Sequence, residues 1–175
     1  MAVMPGLPAV ERLEALDSKP AGTYQRLVDA GVLTVDHGRR VVAVRTLIDR
    51  VLAFGPLAIV CDRFRLGEVT DAVAGRCPVL PRVTRWSEST EDIQATRRLA
   101  LDGDLAVVPG VRPLYRLTLA ESEVQEDDDQ SVRLVKRTAS HRHRDDLAKA
   151  LTLAAGLLAR LPPPRSGGVL VANPA

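Results

Sequence analysis

The stretch that decides the fold is residues 56–64, PLAIVCDRF, a short apolar run that ends in a carboxylate and an arginine. Gly55 and Pro56 precede the apolar residues and charge follows them, a pattern typical of a strand buried on both faces of an α/β sheet. Asp62 then lies at the carboxyl end of this strand, where open α/β sheets place their functional groups. The simpler interpretation is that Asp62 caps the helix that begins near Arg65, because aspartate is a favoured cap.

The composition favours a single α/β domain. The chain has 175 residues, and 46% of them are hydrophobic but only 3% are aromatic. One core of Leu, Val and Ala, as in helices packed on a sheet, suits that length and composition. Two cysteines are too few for a disulfide framework, so a reducing, cytoplasmic setting is expected. The first ten residues contain neither a basic segment nor a long apolar run, and we expect no signal peptide or membrane span there.

Apolar periodicity predicts a strand–helix–strand unit around the decisive stretch. Residues 41–54 carry apolar side chains at helical spacing and lead into a strand at 57–62. A short helix over 66–74 and a second strand at 78–83 follow. This order predicts two parallel strands joined by a crossover helix.

The second half of the chain is predicted to contain a hairpin and a closing helix. Residues 123–136 favour a β-hairpin around an acidic turn. Residues 144–160 carry one apolar stripe at helical spacing, and three prolines beginning at Pro162 end the helix. Residues 162–175 are expected to form a flexible tail.

Charge is distributed unevenly, although the formal total is only +2. A basic run between residues 133 and 144 includes Arg133, Lys136, Arg137, Arg142 and Arg144. Its two interpretations are a solvated loop and a phosphate-binding surface. The sequence contains no GxxxxGK[ST] motif, which excludes a P-loop ATPase within this chain.

Asp145 and Asp146 open the closing helix. Their simpler role is to offset the positive end of the helix dipole. The functional interpretation is that they converge with Asp62 to hold a hard divalent cation, which prefers oxygen ligands. Helical spacing aligns Asp146 with Ala150 and pairs Asp145 with Lys149 at i, i+4. We therefore expect Asp146 to point toward the sheet and Asp145 to form an exposed ion pair.

Two acidic motifs resemble the C-terminal nuclease domain of phage terminase large subunits. The segment AIVCDRF (58–64) is similar to the family's hydrophobic strand that ends in Asp-Arg-aromatic. The segment RDDLAKALTLA (144–154) is similar to the family's closing helix, Asp-Asp-Leu-x-x-Ala-Leu-x-x-Ala. A looser similarity runs from Met4 through Tyr24 to Gly38. The resemblance covers most of residues 3–160 and is specific in the two acidic motifs.

The resemblance implies a partial RNase H-like, three-layer α/β fold. Its expected parts are a central mixed sheet flanked by helices and the hairpin at about 123–136. Residues 1–161 would form the C-terminal part of the nuclease domain, and 162–175 the tail. The resemblance also implies that Asp62 is the second metal ligand.

The same resemblance implies that Asp146, with Asp145 as the alternate, is the final ligand for Mg²⁺ or Mn²⁺, and that these aspartates are the catalytic residues. The family's first metal-binding Asp lies on the opening strand of an antiparallel meander. Asp17, Asp29 and Asp36 lie in helical or loop contexts, so none of them matches it. The two-metal site is therefore expected to be incomplete, which leaves open whether the chain is itself a hydrolase.

The implied function is that of a large terminase subunit of a phage or prophage, whose endonuclease domain cuts concatemeric DNA during genome packaging. The implied partners are double-stranded DNA, guided by Arg63 and the basic run, the portal and the small terminase subunit, in the cytoplasm of a bacterial host. Two alternatives stay open. One is a noncatalytic assembly or docking module of the same fold. The other is a flavodoxin-like nucleotide or phosphate sensor, which would need a glycine-rich loop that this sequence lacks.

Overall fold

The computed structural model describes residues 2–83, 85–137 and 145–161. The predicted tail at 162–175 and two residues of the basic run, Arg142 and Arg144, lie outside this part. The helices and strands follow in this order: β1 Ala2–Pro5, α1 Val10–Leu16, α2 Thr23–Asp29, β2 Leu33–Asp36, α3 Val44–Leu52, β3 Ile59–Asp62, α4 Leu66–Val73, β4 Val79–Arg82, α5 Trp86–Leu101, α6 Arg112–Ala120, β5 Ser122–Glu126, β6 Val132–Lys136 and α7 Asp146–Arg160.

The described strands form three two-stranded sheets. β1 and β2 are parallel, β3 and β4 are parallel, and β5 and β6 are antiparallel. The mixed α/β class, the parallel strand–helix–strand unit and the hairpin are therefore confirmed. The sheets are smaller than the predicted central sheet. Among the described helices none is long and apolar enough to cross a membrane.

β3 is half-buried, so the prediction of a strand buried on both faces is wrong. Its three apolar residues keep partial exposure, and Leu57, just before the strand, is 73% exposed. Among the described residues, β4 pairs with one edge of β3, and no strand pairs with the other edge of β3. An apolar run signals a tendency to be buried, but a second layer must exist before both faces can be covered.

β1 is a strand that the sequence patterns do not predict. It pairs with β2 through contacts distant in sequence, with Ala2 opposite Leu33 and Pro5 opposite Asp36. Gly6 follows the strand at a point of close approach, because a Cβ there would lie 2.7 Å from the Cα of His37. Such a strand is stabilised by its partner rather than by its own residue pattern.

Two apolar clusters hold the elements together. The first joins α1, α2, β2 and α6, and its buried residues are Leu13, Tyr24, Leu27, Val32, Leu33 and Leu114. The second lies between α3 and α4, with Ile48, Ala72 and Val73 buried and Ile59 of β3 and Val79 of β4 packed against them. The second cluster therefore supports the strand pair that carries Asp62.

Glu14 of α1 is a buried carboxylate that caps α2. Its oxygens accept hydrogen bonds from the backbone N–H groups of Gly22 (2.7 Å), Gln25 (3.1 Å) and Tyr24. Burial raises the pKa of Glu14, but these three hydrogen bonds and the nearby charge of Arg26 outweigh it and hold the pKa below its usual value. The start of α2 is thus stabilised by a side chain from the preceding helix instead of by a local cap.

Candidate nucleic-acid and carboxylate site

Asp62 lies at the carboxyl end of β3, opposite Arg82 of β4. It is exposed, and its Oδ1 accepts a hydrogen bond from the backbone N–H of Phe64 at 2.9 Å. Arg63 is exposed as well, and Phe64 is 89% exposed. Burial and the charge of Asp62 raise the pKa of the neighbouring Cys61 thiol. The strand-end position of Asp62 agrees with the prediction, and its short turn presents three consecutive side chains to solvent.

The two aspartates at α7 are arranged opposite to the expectation. Asp145 is fully buried, with 0% exposure, and Asp146 is exposed. The expected pair with Lys149 is present, with 2.7 Å between Lys149 Nζ and Asp145 Oδ2, but its carboxylate is inside the protein. The expectation failed because the helix begins at Asp146, so helical spacing does not set the direction of Asp145. The backbone N–H of Ala148 also faces α6, where it donates to Thr118 Oγ1 at 3.4 Å.

A cleft of about 480 Å³ opens beside Asp62, between the end of β3, α5, β6 and α7. Its basic residues are Arg133 and Lys136 of β6 and Lys149 of α7, and its acidic residues are Asp62 and Asp92. The remaining lining residues are Val83, Ser89, Ile93, Leu134, Val135, Thr152 and Leu153. The structure therefore brings Asp62 together with two members of the predicted basic run and with Lys149, which was predicted only as an ion-pair partner of Asp145. Neither Asp145 nor Asp146 lines this cleft.

Asp92 of α5 is a buried carboxylate shared by two arginines. The Nε and Nη2 atoms of Arg82 each lie 3.1 Å from one of its oxygens, and Arg160 Nη1 lies 2.6 Å from Oδ1. Burial lowers the pKa of Arg82, but the hydrogen bonds to Asp92 and Glu91 and their charges raise it overall. The negative charge of Asp92 is thus balanced by the positive charges of these two arginines. It ties the end of β4 and the end of α7 to α5.

The sequence patterns do not point to Asp92, and the signal that does exist for it is indirect. Gly156 interrupts an α7 otherwise rich in Leu and Ala, and a Cβ at this position would lie 1.9 Å from Asp92 Oδ1. A glycine inside a helix is unfavourable by itself and therefore suggests close packing against a neighbour. The sequence does not reveal which neighbour approaches.

The hairpin wall of the cleft is held firmly against α5. Thr90 Oγ1 accepts a hydrogen bond from the backbone N–H of Val132 at 2.7 Å, while its own hydroxyl donates within α5 to the carbonyl of Trp86 at 2.8 Å. The guanidinium of Arg133 lies 4.2 Å above the Trp86 ring and donates to Gln125 Oε1. These contacts orient Arg133 while leaving it at the cleft. Arg137, just after β6, is exposed, and its backbone N–H donates to the carbonyl of Glu121 at 2.9 Å.

The acidic side chains that the structure describes do not fit a complete two-metal centre. In residues 2–83, 85–137 and 145–161 no group of three or more His, Cys, Asp or Glu side chains could hold a metal ion. Asp92 shares the cleft with Asp62, but two guanidinium groups already occupy its oxygens. Asp62 is therefore the cleft carboxylate with no ion-pair partner among the described residues.

The architecture matches part of a solved viral protein. The crystal structure of the HK97 bacteriophage large terminase superposes with a TM-score of 0.72 at 18% sequence identity. The match covers 89% of this chain and 32% of the terminase chain, so the present chain spans about a third of that protein's length. No family model matches the sequence, and no curated protein does. The chain therefore has the fold of a portion of a phage large terminase.

Proposed function

We propose that this chain is the C-terminal part of the nuclease domain of a phage or prophage large terminase subunit and that its cleft binds double-stranded DNA. The observation that carries the proposal is the fold shared with the HK97 large terminase over 89% of the chain. The role would include cutting concatemeric DNA during genome packaging, with the portal and the small terminase subunit as further partners.

The charge of the cleft supports binding of a polyanion. Lys136 and Arg133 line one wall, Lys149 lines another, and the negative charge of Asp92 is offset by Arg82 and Arg160. A phosphate group that approaches these cations would therefore face one carboxylate without an ion-pair partner among the described residues, that of Asp62. Arg63 lies on the exposed turn next to Asp62 and would extend the same surface.

The first test is binding of DNA by the chain itself. We expect a short labelled duplex to bind in fluorescence anisotropy, with an affinity that falls as salt rises, because Lys or Arg contacts release counterions from phosphate. Lys136→Ala should weaken binding and reduce the slope of log K against log[salt] by about 0.9. Arg12→Ala removes an exposed charge on α1, outside the cleft, and serves as the control. A chain that binds no duplex at low salt would contradict the proposal.

The second test concerns cleavage. We expect the chain alone to show little or no Mg²⁺-dependent nicking of plasmid DNA, because Asp62 lacks a convergent set of carboxylates in the described residues and an incomplete ligand set misplaces the attacking water. The measurement is conversion of supercoiled plasmid with and without Mg²⁺. Robust cleavage that disappears in Asp62→Ala would show that other ligands complete the centre.

The absence of a three-carboxylate group in the described residues also favours the second candidate, a noncatalytic docking module of the same fold. Titration with Mn²⁺ separates the two functions. In the nuclease fragment, Mn²⁺ binding should raise the melting temperature, since a ligand that binds only the folded state stabilises it, and Asp62→Ala should remove the effect. In the docking module, the melting temperature should not respond to Mn²⁺.

A further inference from the structure

Lys149 occupies a distinctive position in the cleft. It lies on α7, its side chain is 47% exposed, and it lines the cleft together with Asp62 and Lys136. The predicted DNA-binding residues do not include it. Its ammonium group is therefore a third cation of the cleft, contributed by a different element from the basic run.

Asp145 restrains this lysine from inside the protein. Lys149 Nζ lies 2.7 Å from Asp145 Oδ2, and the Asp145 carboxylate is buried. A buried carboxylate must be paired to remain ionised, and Lys149 is its ion-pair partner among the described residues. The contact is an ion pair rather than a well-directed hydrogen bond, because neither oxygen of Asp145 accepts a hydrogen bond from the part of the chain that the structure describes.

The pair leaves Lys149 able to bind a second anion. A lysine ammonium has three donors, and one carboxylate does not use all of them. The exposed part of the side chain faces the cleft, where Arg133 and Lys136 are the other cations. An anion with several oxygens could thus contact α7 and β6 together.

We infer that Lys149 binds a backbone phosphate of DNA in the cleft and that Asp145 is its positioning counter-ion. This inference rests on the proposed function and deepens it by assigning a phosphate contact to α7. It also gives Asp145 a different role from that of alternate metal ligand. Asp145 neither touches the DNA nor lines the cleft; it acts by holding the lysine.

The test must separate loss of a phosphate contact from loss of stability. Replacing Lys149 alone would leave the buried Asp145 charge unpaired and could unfold the start of α7. The comparison is therefore between Asp145→Asn and the double variant Asp145→Asn/Lys149→Met, in which the buried charge is absent from both. Melting temperatures verify that both are folded, and Asp145→Asn/Lys149→Arg tests rescue by another cation.

Binding of a short labelled duplex is measured in EDTA over a series of salt concentrations. We expect Lys149→Met, in the Asp145→Asn background, to weaken binding and to reduce the salt slope by up to about 0.9, because the ammonium group still borders the cleft when Asp145 no longer holds it, while Lys149→Arg retains the slope. Arg12→Met in the Asp145→Asn background should change neither the affinity for the duplex nor the salt slope. If the Lys149 variant keeps the full slope while Lys136→Ala reduces it, the inference is overturned and the proposed function stands. If the unaltered chain binds no DNA, the proposed function fails and the inference with it.

Discussion

Replacing Gly156 by alanine should lower the free energy of unfolding by about 2–3 kcal/mol, although alanine favours helices over glycine by about 1 kcal/mol. The new Cβ would lie 1.9 Å from Asp92 Oδ1 and 2.4 Å from its Cγ. Asp92 cannot simply rotate away, because Arg82 and Arg160 hold its oxygens. The expected result is displacement of α7 from α5 and weakening of a buried ion-pair cluster. Urea unfolding followed by circular dichroism measures the change.

Two further variants test whether the loss of stability comes from the contact between residue 156 and Asp92. Gly67→Ala places the same methyl group in α4, where nothing lies within 4 Å of the added Cβ, and should be neutral or slightly stabilising. In an Asp92→Ala background the effect of Gly156→Ala should shrink, because the two nearest atoms, Oδ1 and Cγ, are gone and only the Cβ of residue 92 remains, at 2.9 Å. Equal or higher stability of Gly156→Ala in the unaltered background would show that α5 and α7 do not approach as described.

Glu14→Gln should destabilise the protein by about 3 kcal/mol at neutral pH. The charged oxygens of Glu14 accept three backbone N–H groups at the start of α2, and hydrogen bonds to a charged acceptor contribute roughly 1.5–3 kcal/mol each. In glutamine an NH₂ group replaces one of the two carboxylate oxygens. This group donates hydrogen bonds and cannot accept them, so part of the capping is lost. Chemical denaturation at pH 7 measures the loss.

The effect should also depend on pH in a defined direction. The pKa of Glu14 is lowered in the folded state, so its ionised form contributes stability above the usual value near 4.5. That contribution is lost as pH falls through the lower folded pKa. The difference in stability between the unaltered protein and Glu14→Gln should therefore narrow below about pH 4.5. Glu11→Gln, on the exposed face of the same helix, should change stability by less than about 0.5 kcal/mol at any of these pH values. A gap that stays constant down to pH 3 would contradict the assigned role of Glu14.

The position of Asp62 was predictable and its surroundings were not. An apolar run that ends in Asp places the carboxylate at the end of a strand, and β3 ends at Asp62 as expected. The cleft beside it, however, is assembled from α5, β6 and α7, which are separated by tens of residues. The metal-binding roles of Asp62, Asp145 and Asp146 stay predictions, as do the domain limits at 1–161.

The sequence by itself determined the elements whose signals are local: the amphipathic helices, the apolar strand that ends at Asp62, and the hairpin around its acidic turn. These signals are periodicity, turn residues and breakers, which act over a few neighbouring residues. Only the tertiary structure decided that Asp145 is buried and Asp146 exposed, that Asp92 is shared by two arginines, and that Lys149 faces the same cleft as Asp62. Burial and ion pairing depend on which distant elements pack together, and a residue's immediate sequence neighbours carry little information about that packing.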